Sequence, residues 1–282
     1  ERLASPDDAV AAAAAAALGR IGTEPAATAL LGALGRPAIQ PAVLNALLDA
    51  ADQLAAVSGA GQEAARTTAA ALYAKVQATA PAGVVQAAAF AGAMRLRGAA
   101  ALPDLLGVLR QERSELSAAA ATVLQELPGE AVTKAAAEAL GALPVTVQPL
   151  VIDALAARGD RAALAAVVAA VASADETVRR RAVAALGILG DDTTAMLLAR
   201  TALAAEPKSA LRGQAHASLD MLPGAATNRV LEENLAGAEP ALQCEILRAL
   251  GARKATAAVP AVLRTARAED RQVVNESLEA LG

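Results

Sequence analysis

The stretch "TVRRRAVAALGILGDD", residues 177–192, sets the fold of this chain. Its apolar residues recur three or four positions apart, at Val178, Ala182, Ala185 and Leu186, which is the spacing of one face of an α-helix. A glycine and two aspartates follow, and such residues mark the end of one helix and the start of another. The stretch therefore predicts one amphipathic helix that is closed by a turn.

This unit recurs along the chain. Leu186 is the marker residue of the unit, and similar segments occur in "AALGRIG" at 16–22 and "RALGARK" at 248–254. Successive markers are 30, 46, 30, 31, 31, 33, 31 and 31 residues apart. A nearly fixed period in this range is typical of solenoid proteins. The nine markers are Leu18, Leu48, Met94, Leu124, Leu155, Leu186, Leu219, Leu250 and Leu281.

Each marker lies on the apolar stripe of a predicted helix, which we call the B helix of its repeat. Seven of the nine residues that stand eight positions before a marker are apolar. A second amphipathic segment, the A helix, precedes the B helix, as in "LPDLLGVLR" at 102–110 and "ALAAVVAAV" at 163–171. Two helices of roughly 12 residues and two short turns account for the period.

The composition favours an all-α fold. The chain has 282 residues, is 55% hydrophobic and 1% aromatic, and carries a net charge of −4. Alanine, leucine and valine dominate, period-two alternation is rare, and Tyr73 and Phe90 are the two aromatic residues. The apolar runs 9–18 and 162–172 hold about 10 residues, against the roughly 20 that a membrane-spanning helix needs. The sequence therefore predicts no membrane span.

The residues "DETVRRRAVAALGILGD" at 175–191 resemble the short bacterial HEAT repeat, which also occurs in phycobilisome lyases. The resemblance covers essentially the whole chain. It implies an all-α, right-handed α-solenoid of about eight to nine helical hairpins, armadillo-like in its superhelix, with a concave binding face. We expect a single array over 1–282, with partial repeats at both ends.

A narrower resemblance concerns the order of three segments, "ALYAKV" at 71–76, "ELPGEAVTKAAAEALGALP" at 126–144 and "ALAARGDRAALAAV" at 154–167. It is similar to HEAT segments of large planctomycete-type proteins, in which such arrays stand beside sugar-active or haem-binding modules. The resemblance implies that any catalytic part lies outside these residues. We accordingly interpret the chain as a segment of a larger protein.

The long interval between Leu48 and Met94 predicts an enlarged repeat, about 49–98. We expect a B helix that continues to about Val57, a turn at 58–61 and a long A helix that ends near Ala80. One interpretation is that two neighbouring helices have simply lengthened. The alternative is that the turn docks a neighbouring domain. We expect the two aromatic residues to fill the extra space.

The sequence contains none of the common catalytic motifs, and its single histidine excludes a metal site with two histidine ligands within this chain. His216 is the only histidine and Cys244 the only cysteine, and no nucleophile elbow, zinc-protease motif, phosphate loop or dinucleotide fingerprint occurs. We interpret His216 as packed between repeats, with a catalytic base as the alternative. We interpret Cys244 as inert and facing the inner surface, with a reactive thiol as the alternative. Asp160 of the "RGD" sequence is interpreted as a helix cap.

The three arginines at 179–181 raise the alternative of nucleic-acid binding. Such binding draws on dispersed cationic residues for phosphates and on aromatic rings for stacking. This chain is net acidic and nearly free of rings. The sequence therefore predicts no nucleic-acid partner.

Two rows of B-helix residues are predicted to face solvent on the concave side, namely those seven and two positions before each marker. The rows are small and apolar in the first half of the chain, but polar and arginine-bearing in the second half. The simplest interpretation is that these charges only keep an exposed helix face soluble. The alternative is a binding surface, whose candidate residues are Gln148, Asp153, Arg179, Arg180, Arg212, Gln243 and Arg248.

The sequence thus favours a non-catalytic scaffold that binds a protein, or that spaces adjacent domains of its parent chain, without a cofactor and as a monomer. One alternative is an accessory part of an enzyme that positions its substrate. A third reading, a lyase-like chaperone for a tetrapyrrole, rests on the repeat family alone and is disfavoured by the scarcity of rings and histidine. We expect a soluble protein, cytoplasmic or, if the planctomycete-type resemblance holds, periplasmic or secreted.

Overall fold

The computed structural model describes residues 2–59, 61–111, 114–267 and 269–282. Helices connected by short turns make up these residues, and none of them lies in a β-strand. The predicted all-α class is therefore confirmed. The chain forms two compact units, 1–132 and 133–282, which we call unit 1 and unit 2.

Unit 1 begins with a B helix and then alternates A and B helices. Each A helix packs on the B helix that follows it, and successive B helices also pack on one another. Each hairpin is thus held mainly by its nearest neighbours, as in other repeat proteins. Its B helices are α1 (Asp8–Ile21), α3 (Gln40–Ala55), α5 (Val84–Arg97) and α7 (Ser114–Glu126), and its A helices are α2 (Glu24–Ala33), α4 (Gln62–Thr79) and α6 (Leu102–Leu109).

Helix α8 (Glu130–Leu140) begins at the end of unit 1 and continues into unit 2. Unit 2 repeats the same alternation to the end of the chain. Its B helices are α9 (Gln148–Arg158), α11 (Glu176–Leu189), α13 (Ala210–Met221), α15 (Pro240–Ala252) and α17 (Arg271–Leu281), and its further A helices are α10 (Leu164–Ala170), α12 (Ala195–Ala204), α14 (Gly224–Leu235) and α16 (Val259–Thr265).

The predicted repeat is confirmed, because each of the nine markers lies in an odd-numbered helix of the described chain. Five successive markers, from Leu124 to Leu250, are between 0% and 2% exposed. The register is wrong by one residue in α3, where Leu47 is fully buried and the predicted marker Leu48 is only partly buried. Two adjacent leucines fit the same stripe there, and the sequence did not distinguish them.

The glycine that follows several markers brings successive B helices together. A Cβ added at Gly19 of α1 would lie 2.7 Å from the carbonyl oxygen of Ala46 in α3. A Cβ at Gly187 of α11 would lie 3.2 Å from the Cα of Ser218 in α13. Atoms in contact settle near about 3.5–4.0 Å. A side chain at Gly19 would therefore push α1 and α3 apart, whereas one at Gly187 would require the neighbouring residue to shift by a few tenths of an ångström. The "ALG" signature therefore has a packing role.

The enlarged repeat consists of two lengthened helices. Helix α3 ends at Ala55, slightly before the predicted Val57, and α4 runs for 18 residues to Thr79. The expected core filling is confirmed, because Tyr73 and Phe90 are 2% and 8% exposed. The Tyr73 hydroxyl donates a hydrogen bond to Asp52 of α3. Of the turn at 58–61, residue 60 lies outside the described residues, and docking by this turn stays a prediction.

Helix starts follow the expected local chemistry. Asp160, Asp175 and Asp191 accept hydrogen bonds from backbone N–H groups just after them, at 3.0, 2.9 and 3.0 Å. Such caps satisfy donors that have no partner within the helix. The interpretation of Asp160 as a helix cap is confirmed.

Candidate functional site

The candidate residues all lie in unit 2, on or beside the B helices. We call the surface that these helices turn away from their A helices the B face. Two of the seven candidates, Asp153 and Arg180, are exposed there. The others are partly buried and take part in contacts within the chain.

Most residues in the row seven positions before each marker are buried or partly buried, so the expectation that this row faces solvent was wrong for all of it except Pro41, which is exposed. Ala11 and Ser117 of this row are 0% and 1% exposed. Gln148, Arg179, Arg212 and Gln243 are partly buried. The row points toward the A–B turn or toward the next repeat.

Three long side chains of this row fold back onto the end of the preceding A helix or its turn. Gln148 donates to the carbonyl of Leu143 at 2.9 Å, and Gln243 donates to that of Leu235 at 3.1 Å. Arg179 donates to the carbonyls of residues 173 and 174 at 2.8 and 2.9 Å. The last carbonyls of a helix lack partners within it. These three candidates therefore close the turn between A and B helices.

Arg212 bridges α13 and α15 through an ion pair with Glu245. Glu245 is 4% exposed, and its second oxygen lies 2.7 Å from Nε2 of His216. One buried carboxylate thus joins two basic side chains of the neighbouring repeat. The interpretation of His216 as a residue packed between repeats is confirmed, with a polar contact as the reason for its position.

Arg248 of α15 forms a second bridge to α13. Its two terminal nitrogens donate to both oxygens of Asp220, at 2.8 and 3.1 Å. Asp220 stands where α1 and α11 have the close-packing glycine. Ion pairs therefore join α13 and α15, whereas other pairs of successive B helices meet through direct backbone contact. Arg212 and Arg248 are both neutralised by carboxylates of this chain.

Arg253 reinforces this interface, and no sequence pattern had indicated this role. It donates to Oδ1 of Asn228 at 2.7 Å and to the carbonyls of Leu219, Asp220 and Leu222 at 2.8, 3.1 and 2.8 Å. It thus caps the C-terminal end of α13 from the following repeat. Burial lowers the pKa of this guanidinium.

Cys244 lies beside this cluster and is 9% exposed. Burial raises the pKa of its thiol, and the carboxylates of Glu276, Asp270 and Glu245 raise it further. Because the thiolate is the nucleophile, these surroundings disfavour a reactive cysteine. Burial also raises the pKa of Glu276, with contributions from Glu279 and Glu245 that Arg248 partly offsets.

The free positive charge of the B face lies on α11. Within the described ranges, exposed Arg180 has neither a hydrogen-bond nor an ion-pair partner. Arg181 and Asp153 are 3.4 Å apart, with half of each side chain exposed, and such surface pairs contribute little stability. Burial raises the pKa of Asp153, against the opposing effect of Arg181.

Two large apolar side chains are exposed on the same face as these arginines, toward the C-terminal ends of α11 and α13. Ile188 of α11 is 60% exposed and Met221 of α13 is 62% exposed, and each stands two positions after its marker. The smaller Ala184 and Ala217 lie on the same face. We call Arg180, Arg181, Ala184, Ile188, Ala217 and Met221 the B-face patch.

The described part of the chain holds no group of three or more His, Cys, Asp and Glu residues that is arranged to bind a metal ion. No described helix is both long enough and apolar enough to cross a membrane. A cleft of about 590 Å³ in unit 1 is lined mainly by small apolar residues, including Ala14, Leu18 and Ala33. A cleft of about 450 Å³ in unit 2 is lined by Arg179, Arg200 and Glu206, among others.

No protein-family model and no curated protein matches the chain. Solved structures that resemble it include an engineered protein, with 19% identity, a TM-score of 0.41, and coverage of 99% of this chain and 96% of that one. Human deoxyhypusine hydroxylase in complex with glycerol matches with 18% identity, a TM-score of 0.33, and coverage of 97% and 96%. A structure concerning cadherin and β-catenin matches with 15% identity, a TM-score of 0.37, and coverage of 99% and 73%. At these scores the likenesses carry no inference about activity.

Proposed function

We propose that this chain is a HEAT-type repeat scaffold without catalytic activity, and that it binds a protein through the B face of unit 2. The partner is a separate protein or an adjacent domain of a longer parent chain. The observation that carries the proposal is the B-face patch, in which an unpaired arginine and two exposed apolar side chains occur on the same face of adjacent B helices.

Interface cores combine apolar side chains with arginine more often than the rest of a protein surface does. An isolated exposed leucine or isoleucine needs no explanation, but Ile188 and Met221 occupy equivalent positions on adjacent helices. The B-face patch itself includes no histidine, cysteine or carboxylate, which agrees with binding rather than catalysis. Asp153 and Arg180 are the two original candidates that remain accessible to such a partner.

The experiment is affinity capture from a lysate of the source organism, with the whole chain as bait. The test variant is Arg180→Glu combined with Ile188→Asp, because both side chains are exposed and neither holds a neighbouring helix. Arg200→Glu is the matched control, since Arg200 is exposed on the A helix α12. We expect a protein that wild type and the control retain and that the test variant loses.

Substitution of Arg212 or Arg248 would not serve this test. Each pairs with a carboxylate of the neighbouring repeat, so a glutamate there would set like charges together and disturb the fold. Equal capture by wild type and by the patch variant would contradict the proposal. Circular dichroism of each bait establishes that its helical content is unchanged.

A further inference from the structure

We infer that the B-face patch binds an acidic amphipathic helix of the partner protein. This inference rests on the proposed function and specifies the chemistry of the partner. It follows from the distribution of free charge, from the position of the exposed apolar side chains, and from the shape of the surface between them.

The positive charge of the patch favours a partner that carries carboxylates. Arg212 and Arg248, further along the B face, are paired with Glu245 and Asp220. In the described chain Arg180 has no such partner, and Arg181 shares only a 3.4 Å contact with Asp153 in which both groups stay half exposed. A carboxylate brought to this site gains a charge-assisted hydrogen bond without breaking an existing buried pair.

The apolar side chains lie at the other end of the same helix. Arg181 and Ile188 are seven residues apart on α11, which places them on one side of the helix and about 10.5 Å apart along its axis. Met221 stands at the equivalent position of the adjacent helix α13. The patch is therefore amphipathic along the helix direction, basic toward the N-terminal end and apolar toward the C-terminal end.

The surface between the basic end and the apolar end of the patch is shallow. Ala184 and Ala217 carry only methyl groups, and Gly187 lies against Ser218, so that the backbones of α11 and α13 come close together. Two parallel helices with small residues between them form a shallow groove of the kind into which a third helix packs. Leucines along one face of such a helix would pack on Ile188, Met221 and the alanines, and glutamates that flank this face would pair with Arg180 and Arg181.

The probe is a fluorescein-labelled, amidated 16-residue peptide that has leucines at positions i, i+4, i+7 and i+11 and glutamates at most other positions. One control peptide has lysines in place of the glutamates, and another has alanines in place of the leucines. Fluorescence anisotropy is measured with the whole chain at low ionic strength. We expect saturable binding of the acidic leucine peptide, and at least tenfold weaker binding of both controls.

Protein variants locate the site. Arg180→Glu and the pair Ile188→Ser/Met221→Ser should each weaken binding at least tenfold, whereas Arg200→Glu on α12 should leave it within twofold. Equal binding of the lysine peptide would overturn the inference, as would an equal loss of binding in Arg180→Glu and Arg200→Glu. Circular dichroism confirms that each variant is folded.

The experiments distinguish failure of the proposed scaffold function from failure of the inferred partner chemistry. If the acidic peptide does not bind, but a native protein is captured by wild type and lost by the patch variant, the inferred partner chemistry is wrong and the scaffold function stands. If neither the peptide nor a native protein depends on the patch, both proposals are overturned.

Discussion

Replacement of Gly19 by alanine should destabilise unit 1, because α1 and α3 touch through their backbones at this position. The added Cβ would lie 2.7 Å from the carbonyl oxygen of Ala46 and 2.8 Å from its Cα. The two helices must therefore move apart. Overpacking of this kind costs about 1–3 kcal/mol, while the higher helix propensity of alanine returns about 1 kcal/mol. We expect a net loss of up to about 2 kcal/mol in the free energy of unfolding.

Gly32 of α2 is the matched control. A Cβ at this position meets nothing within 4 Å, so Gly32→Ala should stabilise the chain by about 0.5–1 kcal/mol through helix propensity alone. The stability of Gly187→Ala should lie between those of Gly19→Ala and Gly32→Ala, because its added Cβ would lie 3.1 Å from Oγ of Ser218.

Urea denaturation followed by circular dichroism measures all three variants. We expect midpoints that shift in opposite directions for Gly19→Ala and Gly32→Ala, with similar slopes. A Gly19→Ala variant as stable as Gly32→Ala would refute the claim that the marker glycine brings B helices together.

Three further predictions concern side chains that join helices. Arg253→Met should lower the free energy of unfolding by about 1.5–3 kcal/mol, as measured in urea, because the end of α13 loses its cap. Tyr73→Phe should cost about 1 kcal/mol in the same assay, because the bond to exposed Asp52 is lost while the ring stays buried. Glu276→Gln should raise the melting temperature at neutral pH. Burial and neighbouring carboxylates raise the folded-state pKa of Glu276, so the ionised group opposes folding above its unfolded pKa of about 4.3. The gain should therefore disappear below that pH, and a gain that persists at pH 3 would contradict this account.

The sequence predicted the repeat because the spacing of apolar residues along a helix determines which of its residues are buried in the core. A helix that buries one stripe needs a large apolar residue at each marker, and Leu155 and Leu186 meet that need in the structure with no exposure. The prediction was wrong by one residue at Leu48, where the adjacent Leu47 satisfies the same requirement. In an alanine-rich helix the stripe is broad, and the register is correspondingly less well specified.

The sequence was less informative about the B face. Helical periodicity gives the direction of each Cβ, but a long side chain can turn back from that direction. Gln148 and Arg179 do so, because unpaired carbonyls lie within their reach. The role of Arg253 could not be predicted, since its main partners are backbone carbonyls and any sequence supplies them.

The exposed apolar residues have a sequence signal that lies outside the two rows predicted to face solvent. Ile188 and Met221 both stand two positions after a marker. Comparison of that row across the repeats would have found them. Their exposure depends on the small residues around them, and that part required the structure.

Site-specific photo-cross-linking tests the central claim most directly. A photoreactive phenylalanine analogue is placed at Ala217 on the B face of α13, and at Ala169 on the A helix α10 as the control, both of which are exposed. The whole chain is then irradiated in a lysate of the source organism. The account predicts a discrete cross-linked protein from position 217 that is absent from position 169 and is lost when Arg180→Glu is added. The same product from both positions, or a product from position 169 alone, would contradict binding through the B face.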